Sequence, residues 1–380
     1  MPSGDVQEME YGALSAGEEP MVRFSRKGAS WWGGFSTVVK SVVGSGILAL
    51  PVAFKETGLA LGTILIVIFA FVSLYSHRII IMTIRELRKK GKGPPDGAIE
   101  YQELSSLTFG AAGEGISAFA AISTQLGACV SFLVFIGENM ADVTGASGSI
   151  ITLGLVPILI ILALIKDASL FAPTSHLGNA ALVLAVSTVF WYGFSESPPR
   201  SLETYTQFRY LGLPIFFGIG VYTFTAHCEV VSIEQDMNNR EEFLSILNWA
   251  FLFISTLYLS FGALCYMFFG DDTNEIIFEN LGASSFVIFV KICICVCLLV
   301  QYPITLLPAS VTFEDLLKVR NHVVWSFLVR VFLVMFTVFF AIMIPSFEIV
   351  TSFVGAFSNG SQIPQSHSHM PMCFETVIKC

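Results

Sequence analysis

The sequence predicts an all-α, polytopic membrane protein, and three observations predict it. The chain is 54% hydrophobic and only 13% charged, with a mean hydropathy of +0.72. A water-soluble globule needs more polar cover than those residues provide. The apolar residues gather into runs of about 20, the length that crosses a bilayer core. Lysine and arginine are shared unequally between alternate loops, as the positive-inside rule requires. The net charge of −9 gives no support to a nucleic-acid partner, which needs a basic patch.

Nine full spans follow in order, at about 34–54, 57–82, 115–137, 149–166, 170–194, 210–233, 243–269, 283–309 and 323–344. A shorter tenth run covers about 347–358. With a cytoplasmic N-terminus, twelve cations fall inside: Arg23, Arg26, Lys27, Arg85, Arg88, Lys89, Lys90, Lys92, Lys166, Arg240, Lys318 and Arg320. Only Lys55, Arg200 and Arg209 fall outside, which sets the orientation.

Residues 1–30 are polar and acidic and read as a disordered cytoplasmic tail, with no apolar run long enough for a cleavable signal. Within that tail Tyr11-Gly12-Ala13-Leu14 has the tyrosine-x-x-hydrophobe form of a signal for a sorting adaptor. Residues 359–380 form a polar tail after an incomplete tenth span, about 12 residues where a crossing needs about 20. The tail, with the acceptor Asn359-Gly360-Ser361, is therefore expected on the non-cytoplasmic side. Six of the eight cysteines lie in apolar segments, and Cys293, Cys295 and Cys297 alternate around a helix, which favours packing over a disulfide or metal framework.

Spans one and six carry matching interruptions. Span one reads Lys40-Ser41-Val42-Val43-Gly44-Ser45-Gly46-Ile47, and span six reads Gly218-Ile219-Gly220-Val221-Tyr222-Thr223-Phe224-Thr225-Ala226-His227. Interrupted segments in corresponding positions of two halves point to an inverted-repeat transporter. Glycines weaken the helix, freed N–H groups of the following half-helix face an anion, and freed carbonyls receive an ammonium. Such a site suits a zwitterion, with Gly44, Ser45, Gly46 and Ile47 at its carboxylate end. Tyr222, Phe224, Thr225 and Ala226 stand at its amine end. The competing reading is that these small residues serve close helix packing.

Charges within the spans come next. Lys40 lies about 9 Å deep at 1.5 Å per residue, and either snorkels to the cytoplasm or stands as a permanent cation where another transporter binds sodium. Lys291 and Arg330 read as partners of a carboxylate or of backbone carbonyls. His227 and Glu229 are the candidates for proton coupling, since histidine titrates nearest neutral pH and burial moves a carboxylate toward it. Glu234, followed by Gln235 and Asp236, is expected to be solvated at the cytoplasmic end of the helix.

Four stretches make the sequence resemble the amino acid/auxin permease family, of the amino acid–polyamine–organocation group with its LeuT-like fold. They are Lys40-x-x-x-Gly44-Ser45-Gly46-x-Leu48-x-Leu50-Pro51; Thr124-Gln125-Leu126-Gly127-x-Cys129 with Val134-Phe135-x-x-Glu138-Asn139; Gln301-Tyr302-Pro303 with Leu307-Pro308-Ala309; and Arg330 with Ala341-Ile342-Met343-Ile344-Pro345-x-Phe347-Glu348 through Val354-Gly355. Spans one, three and nine are most similar to the proton-coupled small-amino-acid branch, and span six to vesicular and vacuolar members. The resemblance implies transport of small neutral amino acids, with protons, in a lysosomal, vacuolar, vesicular or plasma membrane. Three departures stand out. The branch has a histidine where this chain has Thr37, which leaves the proton carrier to be found elsewhere. Its outer-loop cysteine pair is missing from residues 195–209 and 270–282. The family has eleven spans, so the chain reads as a C-terminally truncated member after Ser358.

The expected function is secondary active transport of small neutral amino acids between spans one and six. An amino-acid sensor without flux, and a truncated non-transporting isoform, are the alternatives. An enzyme is not expected, and no cofactor: the six histidines are scattered, and no HExxH spacing or paired carboxylates occur within the spans.

Overall fold

The computed structural model describes residues 29–91, 101–165, 172–199, 201–282, 284–319 and 322–360. The Tyr11–Leu14 motif and the chain after Gly360 lie outside the described residues. The fold is helical. Span one is split into α1 (Trp31–Val42), a 3₁₀ turn (Ser45–Ala49) and α2 (Leu50–Thr57). There follow α3 (Leu59–Lys89), α4 (Tyr101–Thr144), α5 (Gly148–Ala163) and α6 (Ala172–Glu196). Span six is split into α7 (Leu213–Thr223) and α8 (His227–Gln235). The remainder is α9 (Phe243–Phe269), α10 (Ser285–Leu316), α11 (Val323–Met343) and α12 (Phe347–Gly360).

Six of the described helices are long and apolar enough to cross a membrane, and α1 with α2, bent by 45°, makes a seventh. Gly148–Ala163, Tyr210–Thr223 and Phe347–Ala356 are apolar but shorter. At 1.5 Å per residue the 16 residues of α5 reach about 24 Å. The sequence expectation of nine full spans counted α5 and the α7–α8 pair by hydropathy, which does not register where helices break or stop. Exposed apolar residues such as Phe71, Ile161, Val183 and Trp249 mark surfaces that only lipid solvates well. The most apolar window of α4 is 67% buried against 28% for α3, so α4 is the central helix and α3 a peripheral one.

Helix ends explain much of the loop structure. Ser30 caps α1 by accepting from Gly33 N at 3.3 Å, and Ser284 caps α10 by accepting from Val287 N at 3.2 Å. The orphan donors of α3 are met from far along the chain: Leu59 N donates to Thr206 O at 2.9 Å and Leu61 N to Gln207 O at 3.1 Å. That approach needs Gly58, whose φ is +87° and whose Cβ, were there one, would stand 2.6 Å from the Thr206 carbonyl. The short α12 packs on α7 and α4. A Cβ at Gly218 would overlap the Ser352 backbone, and one at Gly355 would overlap the Gly218 carbonyl, so these two helices touch backbone to backbone.

Buried charges are paired between helices. Arg330 on α11 donates through Nε to Glu314 Oε1 at 2.8 Å and through Nη1 to Ala163 O at 2.9 Å. Ser326 donates to the same Glu314 oxygen at 2.8 Å. Arg330 therefore closes the orphan carbonyl end of α5 and neutralises a carboxylate that is itself buried. Lys291 on α10 pairs with Asp142 on α4. Both cations take the structural roles expected of them. Glu234 departs from expectation. It is fully buried at the end of α8, where Arg88 donates to both its oxygens at 3.0 and 2.9 Å and Arg85 stands 3.8 Å away. Arg85 and Arg88, one turn apart on α3, supply the charge that lets a carboxylate remain there; local sequence around Glu234 carries no sign of them.

A cavity of about 260 Å³ is lined by Glu138, Asn274, Glu275, Ile276, Glu279, Pro345 and Phe347. Partial withdrawal from water pushes the Glu279 carboxyl up, and Asp142, Glu138 and Glu275 add to the shift against Lys291.

Two predictions follow from these charges. Arg330→Met leaves Glu314 buried without its cation and should cost about 3–5 kcal/mol. It should be read as earlier thermal unfolding in detergent, and the double variant Arg330→Met/Glu314→Leu should recover most of the loss. For Glu279 the folded state keeps its proton to higher pH than the unfolded chain, so its contribution to stability is present at low pH. That contribution is lost as pH rises from the ordinary carboxylate value through the raised one. The side chain is exposed, so screening keeps the effect small. Thermal unfolding followed against pH should show a shallower decline in Glu279→Gln than in the unsubstituted chain.

Candidate functional site

The two interruptions face each other inside the bundle. α1 ends at Val42 because Gly44 takes an extended conformation (φ −105°, ψ −156°), and the chain resumes as the 3₁₀ turn. α7 ends at Thr223, and Phe224 to Ala226 run non-helically before α8. Each half-helix leaves carbonyls without intrahelical partners. One side chain answers both. Tyr258, fully buried on α9, directs its hydroxyl at Val42 O, 2.8 Å away, and at Thr223 O, 3.1 Å away. Sequence reasoning missed Tyr258, since nothing local distinguishes it from the other aromatics of its helix.

Around that hydroxyl the predicted substrate residues divide. Ser45 Oγ and Tyr222 OH lie 3.4 Å apart across the two breaks, and Ser131 of α4 also neighbours the Tyr222 hydroxyl. Thr223 Oγ1 donates to Ile219 O at 2.7 Å and stands 3.4 Å from Gly46 O. A Cβ at Gly44 would meet nothing within 4 Å, whereas one at Gly46 would meet Thr223 Oγ1 at 3.1 Å and Thr223 Cα at 3.2 Å. Gly44 thus borders open space, and Gly46 is the point of close approach between the spans. Ile47 and Ala226 are fully buried, and Phe224 nearly so. Phe224 packs edge-on against Tyr258 at 5.1 Å, and its carbonyl accepts from Ser73 Oγ of α3 at 3.1 Å. Thr225 Oγ1 turns back to Val221 O at 2.7 Å, serving its own helix.

The predicted coupling residues are not brought together. Lys40 sits partly buried in the last turn of α1, where its charge complements the helix dipole. It makes no hydrogen bond or ion pair among the described residues. Glu229 is exposed in the first turn of α8, again on the favourable side of a dipole. His227 is buried at the start of α8, and its ring stacks on that of His77 from α3, with centroids 4.2 Å apart and planes within 11°. Ser76 Oγ lies 3.3 Å from His227 Nε2. His77 was not singled out in the sequence, because a lone histidine in an apolar run carries no signal of a partner 150 residues later. Motifs of spans three and eight also meet: Cys129 Sγ contacts Tyr302 O at 3.8 Å, and Tyr302 OH lies 2.6 Å from Thr337 Oγ1.

Among solved structures the chain is similar to a Na⁺-coupled sialic acid symporter in a substrate-bound outward-open state. The TM-score is 0.49 and the identity 11%, over 87% of this chain and 77% of that one. Among curated proteins it is 27% identical to amino acid transporter AVT3B of Arabidopsis thaliana over 358 residues, covering 89% of this chain and 84% of the relative. It is 30% identical to amino acid transporter ANT1 of the same plant, covering 74% of this chain and 66% of the relative. Vacuolar amino acid transporter 3 of Schizosaccharomyces pombe is 21% identical over 75% of this chain and 43% of its own length. The family model for transmembrane amino acid transporter proteins matches residues 27–361, and with most of its length so matched this chain belongs to the transmembrane amino acid transporter family.

Proposed function

We propose that the chain is a proton-driven secondary active transporter of small neutral amino acids, with the substrate held between the breaks of spans one and six. The observation that carries this reading is the convergence of the two breaks on Tyr258, with open space at Gly44 and the hydroxyls of Ser45 and Tyr222 between them. Donors from the 3₁₀ turn after Gly44 suit a carboxylate, and the Phe224–Ala226 carbonyls suit an ammonium. A small, neutral side chain fits a wall of glycine, serine and aromatic residues. The membrane would be crossed nine times, with α5 and the α7–α8 pair among the nine and α12 as a shorter tenth element. A vacuolar or vesicular membrane accords with the fission-yeast relative's name.

Protons are preferred to sodium because Lys40 supplies a fixed cation beside the first break, and because His227 lies next to the second. In proteoliposomes, uptake should rise as external pH falls from about 7.5 to 5.5, across the histidine range. It should not change when choline replaces sodium. A strict sodium requirement would overturn the coupling, and saturable binding without accumulation would identify a sensor instead.

Gly46→Val tests the site itself. The added carbons would press on Thr223, 3.1–3.2 Å from the new Cβ, and drive the two breaks apart. Substrate affinity should fall roughly tenfold or more, about 1.4 kcal/mol per decade, while the protein still reaches the membrane. Undiminished binding would remove Gly46 from the site.

A further inference from the structure

We propose that His77 and His227 form a one-proton site, in which His77 carries the proton and delivers it to the broken segment of span six. This rests on the proton-driven reading above and adds the residue and atom that reading lacks. His77 Nδ1 lies 2.7 Å from Ser73 O, and a carbonyl can only accept, so Nδ1 bears a hydrogen. The neutral ring therefore keeps its lone pair on Nε2. That atom is buried and has no hydrogen bond of good geometry, although the Ala226 carbonyl lies beside the ring. A hydronium ion gives up one O–H bond as the N–H bond forms at Nε2, leaving water, and the Ala226 carbonyl then becomes the acceptor of that N–H. On release the N–H bond breaks and the proton returns to a water oxygen, with no change of oxidation state.

The second histidine sets the stoichiometry. Two imidazolium rings stacked at 4.2 Å repel each other in a buried setting, so a proton on one opposes a proton on the other. Among the described residues no charged side chain bonds to either ring. On α3 the neighbours are Ser73 and Ser76, and on α9 the ring of Phe251 closes His77 at 5.0 Å. Glu229 on α8 is exposed, and Lys40 on α1, which packs on α8, stands in that helix's last turn. The pair is wired to the break twice, since Ser73, which accepts from His77, also donates to Phe224 O at 3.1 Å. Protonation thus changes the hydrogen bonding of Phe224–Ala226, the segment proposed to hold the substrate amine.

The test uses the full chain in proteoliposomes containing a pH-sensitive dye, with alanine as the probe. His77→Asn keeps a donor for the Ser73 carbonyl and removes the titrating nitrogen. Alanine exchange at equal pH should stay within about threefold of the parent, whereas alanine-evoked proton entry and the pH dependence of uptake should be lost. Parent-like proton entry in His77→Asn would overturn the inference and leave the proton-driven reading intact. A parent protein indifferent to an imposed pH gradient would instead overturn that reading, and this inference with it. A second measurement does not depend on that variant. With His176, His322, His367 and His369 replaced by glutamine, ¹⁵N spectra of the remaining two rings should show one staying neutral while the other protonates. Both protonating together would refute the one-proton site.

Discussion

A single phenolic hydroxyl holds the centre of this molecule. Breaking a helix inside a bilayer strands carbonyls where no water can reach them, and each stranded group is costly. Two breaks placed face to face double that cost. Tyr258 offsets it by standing between Val42 O and Thr223 O, at 2.8 and 3.1 Å, so that one hydrogen is shared between the ends of α1 and α7. Its ring is wedged against Phe224, and burial of a large aromatic fixes the position of its polar tip. Ser73 performs the same service for Phe224 O. The breaks are thus satisfied by hydroxyls from helices that are themselves continuous, which leaves Ser45 and Tyr222 facing each other at the site.

Much of this was legible in the sequence, and the parts that were not share a physical reason. The spans announce themselves by hydropathy, and the breaks by glycine within an apolar run. Lys291 and Arg330 announced a need for partners because a charge in a span must be answered. Tyr258, Ser73 and His77 gave no such notice. A tyrosine, a serine and a histidine are each tolerable alone in an apolar helix, and only the fold brings them to a carbonyl or a second ring. Glu234 was misread for the complementary reason. Its neighbours in sequence, Gln235 and Asp236, suggest water, but Arg85 and Arg88 approach from α3 and enclose it. Gly46, expected at the ligand from the motif, lies in close approach to Thr223, and Gly44 borders the open space, a distinction that only the backbone positions reveal. Hydropathy counts apolar residues and takes no account of where the backbone stops repeating, so among the nine spans expected α5 and the α7–α8 pair are shorter or broken helices.

The four half-helices then fall into two pairs with different kinds of attachment. At one end α2 packs on α7. Arg209 ties this end by donating to Lys55 O at 2.9 Å and pairing with Asp271 at 3.1 Å, and Lys55 donates to Thr273 O at 2.8 Å. α7 is further clamped by α12, where Gly218 and Gly355 allow backbone contact. At the other end α1 packs on α8. The chain before α1 is joined to the chain after α8 by Ala29 N donating to Asp236 O at 2.7 Å and Asn238 N donating to Ala29 O at 3.1 Å. Arg88 and Glu234 fasten the same end to α3.

These attachments differ in what it takes to release them. The contact between α7 and α12 is close backbone packing at Gly218 and Gly355 with a hydrogen bond from Ser352 Oγ to Ile215 O at 3.2 Å, so a shift of one presses on the other. The attachment at the α1–α8 end includes two backbone hydrogen bonds and the pairing of Glu234 with Arg88 and Arg85, groups that water can satisfy once it enters. Hydrogen bonds exchanged for water cost little net free energy, whereas close packing has no substitute in water. The molecule therefore joins a closely packed α2–α7 pair to an α1–α8 pair held by hydrogen bonds and ion pairs, through residues 43–44 and 224–226. Tyr258, Ser73 and the stacked histidines are gathered where a change at one pair must pass to the other.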